Sequence, residues 1–167
     1  MKSNTEDEEK ENVSPNTLQR SILKGIAASF HTAIVTLSID NPRVDLLLNK
    51  DNTLPTQPEA LRYLKPSFNG PHKDDATLIN TTILLLNSLE PPEGLFLWRA
   101  YFSISRKNLK ERAGFSKSSY YRNLQLGITH FLDKALSNPA AQKVYKTQLA
   151  TYEERLANLE AEKKLLG

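Results

Sequence analysis

The residues best suited to chemistry lie between Arg106 and Leu136, and the chemistry they suit is recognition of a nucleic acid. Lys117, Ser118, Tyr121, Arg122 and Gln125 recur at the spacing that puts them on one face of a helix opening near Ser116. Their side chains can reach phosphates and base edges. Arg122 is the residue type for a bidentate contact to guanine. Lys107, Lys110 and Lys117 suit phosphates, which position a protein on a duplex without specifying sequence. Arg106 belongs to the same basic block. Ser116 and Ser119 suit either a helix cap or a phosphate, with Ser116 the better cap. Tyr121 can stack, touch a thymine methyl, or pack.

Two helices are needed to hold these groups. Leu109 and Ala113 are four apart and give a first helix its apolar side. Gly114 follows where a helix end wants a residue tolerant of positive φ. Phe115 is apolar and just precedes the cap. Beyond Ser116, Tyr120, Leu124, Ile128 and Phe131 repeat at four, four and three, which makes the buried face of a second helix. A helical pair, a short turn with Gly, and polar donors at the start of the second helix are the parts of a helix-turn-helix that enters a DNA major groove.

Charge supports that expectation locally rather than globally. The 167-residue chain carries a formal net charge of only +3. Trp98 to Asn123 holds seven bases against Glu111 alone, while Met1 to Asn12 holds five acids against two lysines. A basic block on the candidate reading motif is the electrostatic footprint of a DNA binder. The acidic stretch reads as a solvating tail, with an activator segment touching RNA polymerase as the sharper alternative. The absence of cysteine excludes disulfides, zinc fingers and thiol catalysis. His31, His72 and His130 are scattered without a second ligand at helical spacing, so no metal and no cofactor is expected; His130 reads as a surface residue. No P-loop, GxSxG or paired-carboxylate motif is present, and the chain does not read as an enzyme. The N-terminus lacks the apolar run of a signal peptide. The longest strongly apolar stretch, Thr81 to Leu89, is too short to span a bilayer, so no membrane association is expected.

The remaining chain divides at its breakers. Residues 1–15 are acidic and polar and read as a disordered tail. Residues 16–72 read as a helical region with loops. Asn16 or Thr17 caps a helix to about Leu37, carried by Leu18, Ile22, Ile26, Phe30 and Ile34 and weakened by Gly25; Ile34 to Ile39 is β-branched enough to be a short strand instead. Val44 to Leu48 is a short apolar segment, Asn49 to Pro58 a loop, and Glu59 to Leu64 one or two helical turns. Residues 74–137 form a four-helix unit ending in the reading pair. Asp74 or Asp75 caps a helix through Leu89, Glu90-Pro91-Pro92-Glu93 separates it from the next, and Trp98 and Phe102 anchor the core. After Asn138-Pro139, residues 138–167 form a C-terminal helix in which Tyr145, Leu149, Tyr152, Leu156 and Leu159 follow an a/d heptad pattern. That seam either pairs two chains in a homodimer or lies on its own domain. The fold class is therefore all-α.

These residues also carry a resemblance. Leu86-Asn87-Ser88-Leu89, Leu97-Trp98-Arg99-Ala100-Tyr101-Phe102, Leu109 to Ser116, Ser119-Tyr120-Tyr121-Arg122 and Ala135-Leu136 together resemble region four of bacterial sigma factors. More narrowly they resemble the ArpU/RinA-type transcriptional regulators of phages of Gram-positive bacteria, the Tyr120-Tyr121-Arg122 run being the most specific part. Gly127 departs from the pattern, which has alanine there. The resemblance implies double-stranded DNA as partner, control of phage late genes or a mobile element, and the cytoplasm of a bacterial host. A DNA-packaging component of the small-terminase kind, and a sigma-like module whose partner is RNA polymerase, are the alternative readings.

Overall fold

The computed structural model describes residues 14–48, 53–103 and 115–166. Among them every regular element is a helix. The first, α1 (Pro15–Asp40), is capped two or three residues earlier than the Asn16 or Thr17 read from sequence. Ser14 is the cap, its hydroxyl accepting from the Thr17 amide, and Pro15 takes the first helical position, where a missing N–H costs nothing. The β-branched end stays helical: Ala33, Ile34 and Leu37 are buried, and burial of one face outweighs strand propensity.

A 3₁₀ turn, Pro42–Leu47, folds Val44 and Leu47 into the core. Next come α2 (Gln57–Leu64), opened by a Thr56–Glu59 capping box, and a short 3₁₀ turn, Lys65–Ser67. α3 (Lys73–Asn87) runs through the centre. Neither Asp74 nor Asp75 is its cap. His72 holds that position without a side-chain cap bond, and both aspartates sit in the first turn, where negative charge suits the helix dipole.

α4 (Glu93–Leu97) follows a cis Pro91–Pro92 bond and continues as a π-helical turn, Trp98–Phe102. The Ser103 amide closes that turn onto the Trp98 carbonyl at 2.7 Å, and the wide turn sends both Trp98 and Phe102 inward. Phe30 of α1 meets both rings edge-on, and His31 Nε2 donates to the Phe102 carbonyl. Each such ring pair adds about 0.5–1.5 kcal/mol beyond area burial.

α5 (Lys117–Leu136), α6 (Pro139–Val144) and α7 (Lys146–Leu166) complete the chain. One hydrophobic cluster takes residues from α1, α3, α4, α5, α6 and α7, so the stretches read as separate regions at 16–72, 74–137 and 138–167 share a single core. The C-terminal seam changes meaning accordingly. Tyr145, Leu149 and Tyr152 are buried inside this chain, Tyr145 bonding Thr82 and Tyr152 accepting from Gln19. These three residues of the seam thus face the chain's own core. Leu156 and Leu159 are half-buried against the same core. Burial pushes the Tyr145 phenol above its ordinary value, and the Thr82 hydrogen bond opposes part of that rise.

One expectation about apolar length is corrected. α1, not Thr81 to Leu89, is the most membrane-like stretch. It contains an 18-residue window of mean hydropathy 1.5 and is long enough to cross a bilayer by length and composition. Here its apolar side, from Leu18 to Leu37, forms one wall of the core.

Candidate nucleic-acid interface

The exposed side of α5 is built from its first residue upward. Ser116 is the N-cap, its hydroxyl accepting from the Ser119 amide at 3.2 Å. Phe115 and Tyr120 flank that cap, and both rings lie on the buried ring of Phe96, at 5.6 and 4.8 Å. An apolar residue before the cap and another in the second turn thus share one anchor on α4, which fixes the direction in which the chain enters α5. Removing the cap hydroxyl should cost about 1 kcal/mol. Ser116→Ala is expected to lower the midpoint of thermal unfolding, followed by circular dichroism, by roughly 2–4 °C for a chain of this size.

The buried face of α5 is the one read from sequence, with Leu124 only half-buried. Gly127 explains its departure from alanine. A Cβ there would lie 3.2 Å from Glu93 Cβ and 3.4 Å from Leu97 Cγ, so the missing side chain lets α5 lie close against α4. Beside this contact, His130 Nδ1 donates to the buried carboxylate of Glu93 at 2.7 Å. His130 is exposed, as read from sequence, and this contact ties it to α4.

The opposite face points outward. Lys117, Ser118, Tyr121 and Arg122 are exposed, and Ser119 is half-buried. They span about 7.5 Å of helix at 1.5 Å per residue. Arg122 Nη2 donates to Ser119 Oγ at 3.2 Å, and the Tyr121 ring meets Tyr120 edge-on at 5.2 Å. Those contacts hold the two side chains over the helix surface without burying them.

Gln125 has a different job from the groove-facing one expected. It is half-buried, its amide donates to Gln19 Oε1 at 2.9 Å, and its Oε1 accepts from Arg20 at 3.2 Å. Gln19 is buried and also accepts from Thr129 at 2.7 Å while donating to Tyr152 at 3.0 Å. This network ties α1, α5 and α7 together. Sequence reasoning missed it because Gln19 sits beside an apolar stripe with no local sign that it faces inward.

Arg106, Lys107 and Lys110, with Leu109, Ala113 and Gly114 of the expected first helix, lie outside the described residues. Among the described residues no group of three or more metal-ligating side chains gathers. No family model, curated protein or solved structure matches this chain.

Proposed function

We propose that the protein is a sequence-specific DNA-binding transcriptional regulator of a phage or mobile element, with α5 as the helix that enters the major groove. The observation that carries this reading is the exposed face of α5. Lys117, Ser118, Tyr121 and Arg122 stand on the first turns of a capped helix, inside the most basic segment of the chain. Its other face is anchored on Phe96 and Leu97, so the donors are presented by a rigid support, as precise base reading requires. Lys117 fits a phosphate and Arg122 a base edge.

A packaging subunit would need a helix that assembles rings. Tyr145, Leu149 and Tyr152, the heptad residues expected to pair two chains, face the chain's own core and do not supply such a seam. The test is selection of bound duplexes from a random-sequence pool by the full chain. Enrichment of one motif is expected. A pool that stays unenriched at moderate salt would overturn the proposal.

A further inference from the structure

The face of α5 does not end at its own helix. Gln125 lies one turn beyond Tyr121 and Arg122, at the i+4 and i+3 positions, and its Oε1 accepts from Arg20 Nη1 at 3.2 Å. Arg20 stands 105 residues earlier in the sequence, on α1. Its Nη2 also donates to Thr17 Oγ1 at 3.3 Å. Arg20 is exposed, and a guanidinium has five N–H donors, so these two bonds orient the group while leaving donors directed to solvent.

Arg20 is not alone there. Lys24, the only lysine of α1, is exposed one turn along the same side. In the π-helical turn after α4, Tyr101 is half-buried near Arg20: burial raises its phenol above the ordinary value, and the Arg20 charge opposes the rise. Arg99 acts in the same sense on Tyr120. The fold therefore extends the cationic face of α5 across α1.

We infer that Arg20 is a backbone-phosphate contact of the DNA interface, held in place by Gln125 and Thr17, so that α1 grips the strand flanking the groove that α5 reads. The inference rests on the DNA-binding reading above and adds a residue that the reading helix does not contain. The division of labour is physical. Arg122 stands on the first turns of α5, where base edges are reached. Arg20 lies to its side, on a second helix, fixed by neutral amide and hydroxyl partners, and none of the ion pairs among the described residues includes it. An oriented cation beside a reading helix fits a phosphate, which positions the protein and adds to affinity on any sequence.

The test is a salt titration of binding by the full chain to a short fluorescein-labelled duplex of random sequence, between about 50 and 200 mM salt, read as the slope of log K against log salt. Arg20→Gln keeps a side chain able to reach Gln125 but removes the charge. It should flatten the slope by about 0.9 and weaken binding roughly five- to tenfold at 0.1 M salt, the signature of one lost phosphate. Arg20→Lys should restore most of the slope. A role confined to tying α1 to α5 would move the unfolding midpoint and leave the slope unchanged. If the wild-type chain binds, and Arg122→Ala weakens its binding to a selected site while Arg20→Gln leaves the slope intact, this inference is wrong and the DNA-binding reading stands. If the wild-type chain binds no duplex at all, both fall.

Discussion

Gly94→Ala is expected to destabilise the protein by about 3 kcal/mol or more, at or beyond the upper end of ordinary overpacking. A Cβ at Gly94 would lie 2.3 Å from the Leu86 carbonyl oxygen, 3.2 Å from its carbon and 3.4 Å from Leu54 Cδ2. The first two obstacles are backbone, at the C-terminal end of α3, and cannot rotate away as a side-chain tip would. α4 must then shift outward, taking with it Phe96, Leu97, Trp98 and Phe102, all fully buried. The unfolding midpoint should fall by roughly 6–12 °C for a chain of this length. Gly70→Ala is the internal control. Its Cβ would meet nothing closer than the Ser67 carbonyl at 3.5 Å, an ordinary contact, so it should change stability by well under 1 kcal/mol or raise it slightly. If the two variants melt together, the close approach of α4 to α3 does not limit stability.

The same approach positions the interface. Gly94 lets α4 lie on the end of α3, and Gly127 lets α5 lie on α4. The exposed donors of α5 are thus placed through two successive helix contacts, each made at a glycine. A displaced α4 would carry α5 with it. Stability and the proposed recognition are thus coupled through α4, although the proposed reading face lies wholly on α5.

What the sequence disclosed follows from where its signals are local. The apolar spacing of Tyr120, Leu124, Ile128 and Phe131 requires only the geometry of one helix, and Ser116 requires only the next turn. Both are found, with Leu124 half-buried where the other three are buried. Trp98 and Phe102 are buried for the same reason, being large and apolar within a helical run. The heptad spacing of Tyr145 to Leu159 was equally visible but ambiguous, because a helix shows the same stripe to its own core and to a second chain. Contacts remote in sequence set it against its own core: Tyr145 bonds Thr82 of α3, Gln19 of α1 donates to the Tyr152 hydroxyl, and Gln148 donates to Ser29. Arg20 and Gln125 are joined across 105 residues, and no periodicity encodes such a pairing. The retrievable sign was weaker: Arg20 and Lys24, the only arginine and lysine of α1, are four apart and so share a face.

Arg122→Ala should separate base reading from phosphate holding on the interface itself. At a selected site, loss of a bidentate guanine contact is expected to weaken binding by about 1–3 kcal/mol, or about 5- to 150-fold. On random-sequence DNA the same variant should lose only the smaller electrostatic share, because a phosphate contact carries no sequence information. Folding should be nearly untouched. Arg122 is exposed, and its one described hydrogen bond, to Ser119 Oγ, lies at the surface, so stability should change by no more than about 0.5 kcal/mol. Arg122→Lys sharpens the comparison: it keeps the charge but not the planar fork, and should hold random DNA almost as well as wild type while losing preference for the selected site. Measured beside Arg20→Gln by fluorescence anisotropy on both duplexes, the two variants should show opposite patterns, one selective and one uniform. Equal losses on the two duplexes for Arg122→Ala would make it a second phosphate contact. Sequence reading would then have to come from Ser118 and Tyr121 on the same exposed turns.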